Sequence, residues 1–515
     1  MEAKLENKLS CLKLKNKVPY IKSISLDDIY ISKEALKLLT KEVVKKYGVM
    51  PFKLEYDKLH IAMIDPYNTS TIEEIRFITG REVIPYKDTK YSIFSAIEVY
   101  YEKEIVDEVL KDIKDIGYTS KIIKENNKII ENAPVVKLTN SIINQAINKK
   151  ASDIHLEPFK NKVIVRFRID GVLNERMTIP KEVYVLVNTR IKIKSGMDIS
   201  KKMIPQDGKM EYEFRDKTFN LRVSSIPTIN GEKIVIRILY KTNKNIDINN
   251  LIEDQDDLIL IKKILSHPSG IILVTGPTGS GKTTTLCSML NELNSKERNI
   301  VTIEDPVEYE IEGINQMNVN NKAGLTFSSA LRSILRQDPD TIMIGEIRDA
   351  ETADISVKAA ITGHLVLSTL HTKDAATTPM RLSDMNVENY LIADSLVAVI
   401  AQRLVRKICP YCKEEYILND REMEFLNIHN KEKVYKGRGC KFCNGSGYKG
   451  RRAVFEIMYL DETHREFIRK GQSSNKIRNY SIKSGMKSIK ESCEKFVLSG
   501  VTTVEEVMRV SYGYI

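Results

Sequence analysis

The sequence contains no tryptophan, and none of its apolar runs approaches the roughly 18 residues that a membrane-spanning helix needs. Its first residues, MEAKLENKLSCLKLKNK, also lack the apolar core of a secretory signal peptide. These absences argue against an integral membrane protein and against a secreted one. We therefore expect a cytoplasmic protein whose contact with a membrane goes through a partner.

The sequence also lacks a strong excess of one charge. Its 80 lysine and arginine residues and 69 aspartate and glutamate residues leave a formal net charge of +11. That surplus is compatible with nucleic acid or an anionic membrane surface, but the basic residues are scattered along the chain. No groove of interleaved aromatic and basic residues, which is typical of single-strand binding, can be read from the sequence. We therefore expect no specific nucleic-acid partner.

Cysteine is scarce, with seven residues in 515, and in a reducing compartment these thiols are not expected to form disulfides. Four of them form two Cys-x-x-Cys pairs: Cys409 with Cys412, and Cys440 with Cys443. The first pair, CPYC, alone resembles a glutaredoxin active site, but its flanks do not predict the thioredoxin-like βαβ unit that redox motif needs. Four thiolates suit a tetrahedral structural zinc, which we predict here. Cys11, Cys287 and Cys493 are expected to be ordinary thiols.

Histidine is equally scarce, yet two of the seven histidines lie within TGHLVLSTLHT, from Thr362 to Thr372. The apolar, partly β-branched run between His364 and His371 predicts a buried strand. Residues an odd number of positions apart on a strand point to opposite faces, so one metal ion could not easily hold both rings. The pattern therefore argues against a metal site at these histidines.

Pattern and composition divide the chain into seven segments. We predict an amino-terminal α/β domain at 1–102, a charged linker at 103–133, a second α/β domain at 134–240, a polar linker at 241–256, a nucleotide-binding core at 257–404, a cysteine-bearing segment at 405–452 and a carboxyl-terminal helical segment at 453–515. In the first domain, FKLEYDKLHIAMIDP predicts two strands joined by a tight turn. In the second, Asp207 with Gly208 and Asn230 with Gly231 predict hairpin turns.

The third domain carries the pattern of a nucleotide site. Its apolar runs GIILVT, NIVTIED, DTIMIGE and GHLVLSTL alternate with helical segments, which indicates a parallel sheet covered on both faces. GPTGSGKT follows the first run and opens a helix, so its glycines let the backbone wrap a phosphate. Lys282 is expected to meet the β- and γ-phosphates of ATP, and Thr283 to offer its hydroxyl to Mg²⁺. The predicted nucleotide-binding residues are Gly276, Pro277, Thr278, Gly279, Ser280, Gly281, Lys282, Thr283 and Thr284.

Two other strands of this domain end in carboxylates. Glu346 follows DTIMIG at the carboxyl edge of the predicted sheet, where ligands collect, and Gly345 stands where many P-loop proteins carry a magnesium-ordering aspartate. Glu346 is therefore expected to act through water or to polarise the attacking water. Glu304 lies beside Asp305 and Glu308, a density of negative charge that needs magnesium or arginine nearby. We expect Glu304 to position water or magnesium.

The ordered set GPTGSGKT, TIEDPVEY, LRQDPDTIMIGEIRD and TGHLVLSTLHT resembles the Walker A, Asp box, Walker B and His box of the secretion ATPase superfamily, in the branch serving type II secretion and type IV pilus assembly. ASDIHLEP, IPQDGK and INGEKIVIRIL resemble that family's second domain, and the cysteine pairs resemble its tetracysteine insertion. The resemblance implies a RecA-like P-loop domain with a parallel sheet, preceded by two smaller α/β domains and carrying a zinc-binding tetracysteine insertion; the second small domain would be PAS-like. It also implies a homo-hexameric motor that hydrolyses ATP and works on an inner-membrane platform protein, at the inner face of the cell membrane.

The resemblance further implies functions for five arginines. From pattern alone, Arg222 and Arg237 are exposed strand residues, but they match family arginines that reach the nucleotide and stabilise transition-state charge. Arg332 and Arg336, together with Arg348, flank the Walker B strand and are expected to sense phosphate or the subunit boundary.

In the family, the His box couples the state of the γ-phosphate to subunit movement. The resemblance therefore brings both of its histidines into the set of nucleotide-site residues. Strand geometry favours His371, at the carboxyl end of its strand, as the residue near the nucleotide, and His364 as a structural or interface residue.

The sequence leaves two functions of this family open, type IV pilus assembly and type II secretion, and we favour pilus assembly. A DNA translocase or helicase-like motor is a more distant alternative, and it would be recognised by DNA accelerating ATP hydrolysis. Some relatives bind cyclic di-GMP through a repeat that contains Arg-Leu-Gly. No Arg-Leu-Gly occurs before residue 100, so this ligand is not predicted.

Overall fold

The computed structural model describes residues 21–26, 29–90, 92–94, 96–97, 100–101, 133–240, 247–430, 432–443 and 445–511. Cys11, nearly all of the predicted linker at 103–133 and the first residues of the linker at 241–256 lie outside the described residues. The chain divides into two compact units, Met1–Phe167 with Asn174–Ile238, and Arg168–Leu173 with Leu239–Ile515. Within the described ranges, no helix has both the length and the apolar character that crossing a bilayer requires.

The first part of the first unit is a small α/β fold around a three-stranded sheet. Its elements are α1 (Lys33–Lys37), α2 (Lys41–Tyr47), β1 (Val49–Glu55), β2 (Lys58–Met63), α3 (Thr69–Thr79) and β3 (Glu82–Lys87). The predicted tight turn joins β1 to β2, with Tyr56 and Asp57 both at positive φ. β3 pairs in parallel with β2 after the crossover through α3. Buried side chains between Leu26 and Tyr101 form a core of their own.

The second part of the first unit is built on a six-stranded sheet with the order β6-β5-β4-β9-β8-β7. Its elements are α4 (Ala133–Asn148), β4 (Asp153–Pro158), β5 (Val163–Ile169), β6 (Val172–Ile179), α5 (Lys181–Lys194), β7 (Gln206–Phe214), β8 (Lys217–Thr228) and β9 (Gly231–Leu239). The predicted hairpin between β8 and β9 is present, but its turn residues are Ile229 and Asn230, one position before the predicted Asn230 and Gly231, and Gly231 begins β9.

The other turn prediction in this region is wrong. Asp207 and Gly208 lie inside β7 and pair with β8. The glycine serves a close approach instead, because a Cβ at position 208 would overlap the carbonyl oxygen of Ser195 at the end of α5. The actual turn between β7 and β8 is formed by Arg215 and Asp216, whose φ angles are 51° and 57°. A two-residue turn with both residues at positive φ matches the twist of the strands it joins.

The second unit holds a seven-stranded sheet with the order β12-β11-β13-β14-β10-β15-β18. Its elements up to the last parallel strand are α6 (Ile248–Leu251), α7 (Gln255–Leu265), β10 (Gly270–Thr275), α8 (Lys282–Leu293), β11 (Ile300–Glu304), β12 (Asn315–Asn318), α9 (Phe327–Ile334), β13 (Thr341–Ile344), α10 (Ala350–Ile361), β14 (Leu365–Leu370), α11 (Thr378–Asp384), α12 (Asn389–Ser395) and β15 (Leu396–Ile408). All neighbouring strands are parallel except β15 and β18. Separate apolar clusters cover the two faces, so the predicted doubly covered parallel sheet is confirmed.

The end of the predicted linker at 241–256 belongs to this folded unit. Ile248 and Ile252 are each 1% exposed and pack in the same apolar cluster as α7, α8 and β10. α6 lies within the stretch that was predicted to be a polar linker. The apolar side chains in DINNLI therefore attach this stretch to the nucleotide-binding core, although its polar residues predict a loop.

The remaining elements follow β15 and return to the same sheet. They are β16 (Lys413–Ile417), α13 (Asp420–Leu426), β17 (Lys433–Gly437), β18 (Tyr448–Tyr459), α14 (Glu462–Arg469), α15 (Ser474–Lys483), α16 (Ile489–Leu498) and α17 (Val504–Ser511). β15 continues through residue 404, where the core was predicted to end, because it pairs with β18 from Ala398 opposite Tyr459 to Ile408 opposite Tyr448. The cysteine-bearing segment is thus inserted between two paired strands.

Candidate functional site

The P-loop joins β10 to α8 at the carboxyl edge of the sheet. Gly276, Gly279 and Gly281 have φ angles of 146°, 79° and 90°, which favour glycine. A Cβ on Gly276 would lie 2.5 Å from the carbonyl oxygen of Gln402 and 2.8 Å from the Ser280 hydroxyl oxygen. The loop therefore needs glycine for both conformation and space. It leads into the amino terminus of a 12-residue helix, the kind of place where phosphates bind.

Two polar side chains of the P-loop fit a phosphate. Ser280 is 3% exposed, and its hydroxyl has no hydrogen-bond partner among the described residues. Lys282 donates from Nζ to the carbonyl oxygens of Gly276 at 2.9 Å and Pro277 at 3.2 Å. Burial lowers the pKa of Lys282 to about 8, and the nearby charge of Arg403 acts in the same direction. A phosphate group would give both side chains a stronger partner, so the donor set suits the predicted nucleotide.

Glu346 lies directly beyond β13, with His371 directly beyond the neighbouring β14. The His371 Nε2 atom is 3.8 Å from Glu346 Oε2. The other carboxylate oxygen, Oε1, accepts a hydrogen bond from Arg348, whose guanidinium also lies 3.7 Å from Asp305. Burial, followed by the charge of Lys282, lowers the pKa of His371, which favours the neutral imidazole. The structure thus brings the predicted carboxylate and histidine together and supplies the arginine that the acidic cluster needs.

Glu304, the last residue of β11, is only 3% exposed. Its Oε1 accepts hydrogen bonds from Thr302 Oγ1 at 2.8 Å and from Gln316 Nε2 at 3.1 Å. Burial raises the pKa of this carboxyl group above its ordinary value, and the two hydrogen bonds only partly oppose that shift. Glu304 is therefore held in a fixed orientation at the same edge of the sheet as Glu346, since β11 and β13 are paired neighbours.

Gln402 and Arg403, on β15, flank the P-loop, although no sequence motif marks them. Gln402 is 1% exposed and accepts a hydrogen bond from Thr285 Oγ1 in α8 at 2.8 Å. Arg403 donates to the carbonyl oxygens of Gln402 and of Lys373, in the loop after His371. β15 runs parallel to β10, with Ala401 opposite Thr275 at the end of β10, so Gln402 and Arg403 follow at the carboxyl edge of the sheet. Both residues could therefore have been found once the strand order was known.

His364 lies at the amino end of β14, the opposite end of the strand from His371. Its Nδ1 atom is 2.9 Å from the carbonyl oxygen of Ala359, at the end of α10. Within one chain, the structure therefore separates His364 from the P-loop and does not support counting it with the nucleotide-binding residues. The strand geometry had predicted this separation.

Arg332 and Arg336 lie on and directly after α9. Arg332 pairs with Glu351, at 2.7 Å, at the start of α10. Arg336 donates to the carbonyl oxygen of Arg332 at 2.8 Å and to the Ser333 hydroxyl at 3.3 Å. These partners belong to α9 and α10 rather than to the P-loop. In a single chain the two arginines are thus not brought to the nucleotide-binding loop.

Arg222 and Arg237 lie on the neighbouring strands β8 and β9 of the first unit. In both strands the alternating residues are buried, so the two arginines project from the face of the sheet that does not carry the core. Arg237 Nε donates to Asp153 at 3.0 Å. The structure therefore places both predicted arginines on one polar sheet face.

The four predicted cysteines form a cluster. Their sulfur atoms all lie within 4.8 Å of one another. The sulfur atoms of Cys409 and Cys440, and of Cys412 and Cys443, are 3.8 Å apart, and those of Cys440 and Cys443 are 3.7 Å apart. Four ligands at the Zn–S bond length of about 2.3 Å form a tetrahedron with edges of about 3.8 Å. The cluster therefore has the dimensions of a tetrathiolate zinc site.

Backbone amides favour the thiolate of one member of this cluster, Cys443, whereas burial raises the pKa of the Cys409 and Cys412 thiols. The amides of Cys440 and Gly447 donate to the sulfur of Cys443 at 3.1 and 3.2 Å. Burial alone would raise the pKa of this thiol, but the hydrogen bonds bring it to about 7. Metal binding requires deprotonated sulfur, so the surroundings suit a metal ligand.

Comparisons with known proteins cover nearly the whole chain. The family model described as Type II/IV secretion system protein matches residues 128–509, and the model described as MshEN domain matches residues 16–106. The type IV pilus assembly ATPase PilB of Myxococcus xanthus is 43% identical over 501 residues, which are 95% of this chain and 88% of that protein. The type II secretion system protein E of Pseudomonas aeruginosa is 39% identical over 497 residues, or 94% of this chain and 98% of that protein.

Among solved structures, the ATPase DotB of Legionella pneumophila shares the fold. It is 21% identical, with a TM-score of 0.54, and the match covers 73% of this chain and 95% of that one. The family match extends over most of the chain, and both full-length relatives exceed 30% identity. The resemblance predicted from the four motifs is therefore confirmed, and the chain belongs to the Type II/IV secretion system protein family, as one of its ATPases.

Proposed function

We propose that this ATPase powers the assembly of a type IV pilus, as a homo-hexamer in the cytoplasm that acts on a platform protein of the inner membrane. The observation that carries the catalytic part is the convergence of Lys282, Glu346, His371 and Glu304 at one edge of the parallel sheet. The match to the pilus assembly ATPase of M. xanthus extends along nearly the whole chain and supports pilus assembly as the cellular function.

In the proposed reaction, the P-loop amides and Lys282 would bind the phosphates of ATP, and the Thr283 hydroxyl would hold Mg²⁺. Glu346 orients and polarises the water that attacks the γ-phosphate. Arg348 fixes one oxygen of this carboxylate, which leaves the other to face the neutral imidazole of His371. Because His371 follows the strand next to β13, loss of the γ-phosphate would change the surroundings of both Glu346 and His371. We propose that Glu304 positions the same water from the neighbouring strand.

We also propose that the four clustered cysteines hold one Zn²⁺, which would fix the inserted segment and take no part in hydrolysis. Four sulfur ligands leave no open coordination position for a substrate.

Arg222 and Arg237 are proposed to supply positive charge to the transition state in the assembled ring. We expect the Arg222→Ala, Arg237→Ala double variant to lose at least about 100-fold in ATP turnover per subunit, since arginines with this function contribute 10³ to 10⁵ in related phosphoryl transfers. Phosphate release at saturating ATP measures turnover, and light scattering reports whether the hexamer still forms.

The matched control is Arg215→Ala, in the β7–β8 turn of the same sheet. It should retain normal turnover and assembly. Undiminished activity of the double variant, or a fully active wild-type monomer, would rule out the proposed function of the two arginines.

The cellular function is tested by deleting the gene in its own cells and shearing surface filaments for quantification. We expect surface pilin to fall at least about tenfold, and to return with the wild-type gene but not with Lys282→Ala. Type II secretion is the second candidate, because the secretion protein E of P. aeruginosa is matched over 98% of its length. In that case, deletion would leave surface pilin unchanged and would reduce the proteins released into the medium.

A further inference from the structure

Gln316 occupies a central position beside Glu304 that no motif predicted. It lies on β12, the edge strand, and pairs with Thr302 of β11. Its amide nitrogen donates to Glu304 Oε1 at 3.1 Å and also to the carbonyl oxygen of Tyr309 at 2.9 Å. Its amide oxygen accepts from the backbone nitrogen of Ile311 at 2.8 Å. One side chain thus contacts both the buried carboxylate and the segment that follows it.

The segment between β11 and β12, residues 305–314, is strongly acidic. It carries Asp305, which faces Arg348, and Glu308, whose charge acts on Glu304. A second β12 side chain, Asn318, accepts a hydrogen bond from the Val307 amide at 2.8 Å. β12 therefore holds the acidic segment at two places, and only the contact through Gln316 also includes Glu304.

We propose that Gln316 is a positioning residue that fixes the Glu304 carboxylate and the acidic segment as one unit, so that Glu304 is oriented for hydrolysis. This inference rests on the proposed function of Glu304. A carboxylate that is buried among like charges is stabilised by any hydrogen-bond donor within reach. Two donors to the same oxygen restrict the carboxylate to one orientation. Thr302 supplies the first donor and Gln316 the second.

Gln316→Met tests the proposal, because methionine has nearly the same length and shape but cannot form these hydrogen bonds. We expect kcat for ATP hydrolysis to fall about 10-fold, with KM for ATP changed less than about twofold, as for an interaction that matters in the transition state. Thr302→Val, which removes the other donor to the same oxygen, should give a similar split. Thermal unfolding of each variant shows whether the nucleotide-binding unit remains folded.

Asn318→Leu is the matched control, since it removes a contact of the same segment and spares Glu304. It should retain kcat within about twofold. In a Glu304→Gln background, Gln316→Met should cause no further loss, because its effect is exerted through the carboxylate.

Normal kcat in Gln316→Met, or equal losses in Gln316→Met and Asn318→Leu that persist in the Glu304→Gln background, would overturn the proposal. Failure of the underlying assumption is separately visible. Near-normal turnover of Glu304→Gln alone would show that Glu304 is not needed for hydrolysis.

Discussion

Replacing Glu346 with glutamine is expected to leave ATP binding intact and to lower ATP turnover by at least about 100-fold. An amide has nearly the same shape as the carboxylate but cannot take up proton density from the attacking water, and general-base contributions are about 10² to 10⁴. The Arg348 guanidinium would lose a charged acceptor, but the P-loop would be unchanged. Binding of a fluorescent ATP analogue and phosphate release in single-turnover experiments separate the two effects.

Lys282→Ala should behave differently, because this side chain is proposed to bind phosphate and not to activate water. We expect it to lose both nucleotide binding and turnover. Substitution of Lys358, an exposed lysine on α10 that pairs with Asp354, provides a control that should change neither property. Near-normal turnover in Glu346→Gln would remove Glu346 from the catalytic residues and leave Glu304 as the remaining candidate.

The second prediction with a large expected effect concerns the cysteine cluster, which we expect to bind one zinc ion per chain. Structural zinc contributes apparent binding free energies of about 10 kcal/mol or more in small sites, so Cys443→Ser should release the metal and unfold the inserted segment. Elemental analysis of purified protein measures the stoichiometry. Limited proteolysis should show new cleavage between residues 409 and 447 in the variant.

Cys493→Ala is the control for this substitution. Cys493 lies on α16, fully buried in an apolar core, and is not one of the four clustered cysteines. Its substitution should therefore leave the zinc content at one per chain. Purified protein without zinc, but with a disulfide between Cys409 and Cys412 that can be reduced and re-formed, would instead support the redox interpretation of CPYC.

The parts of this site that the sequence predicted are those whose function depends on local geometry. A P-loop is contiguous, and so are the apolar strands that end at Glu304 or just before Glu346 and His371. The carboxyl ends of parallel strands necessarily meet at one edge, which brings these residues together once the sheet is predicted. The cysteine pairs were likewise recognisable from spacing and ligand chemistry.

The contacts that the sequence did not predict depend on which strands become neighbours. Gln316 reaches Glu304 because β12 adds to the edge of β11, and Gln402 reaches the P-loop because β15 follows β10 in the sheet. Neither order is encoded in the local pattern. The wrong turn prediction at Asp207 and Gly208 has a related cause. Position 208 requires glycine because the carbonyl oxygen of Ser195, distant in sequence, leaves no room for a Cβ, and not because the chain turns there.

The pairing of β15 with β18 also bears on how the cysteine segment could be gained or lost. Ile408 lies opposite Tyr448, so the insertion leaves and re-enters the sheet at adjacent points, and a short hairpin in its place would keep all seven strands paired. Its apolar packing is less easily replaced. Leu418 and Val434 of the insertion share a core with Val497 and Val507 of the last two helices. Excision would therefore be neutral for backbone topology but would remove one side of this core, while Val405 and Val454 of the sheet would still pack against the two helices. A shortened chain would then need polar residues where the helices now contact the insertion.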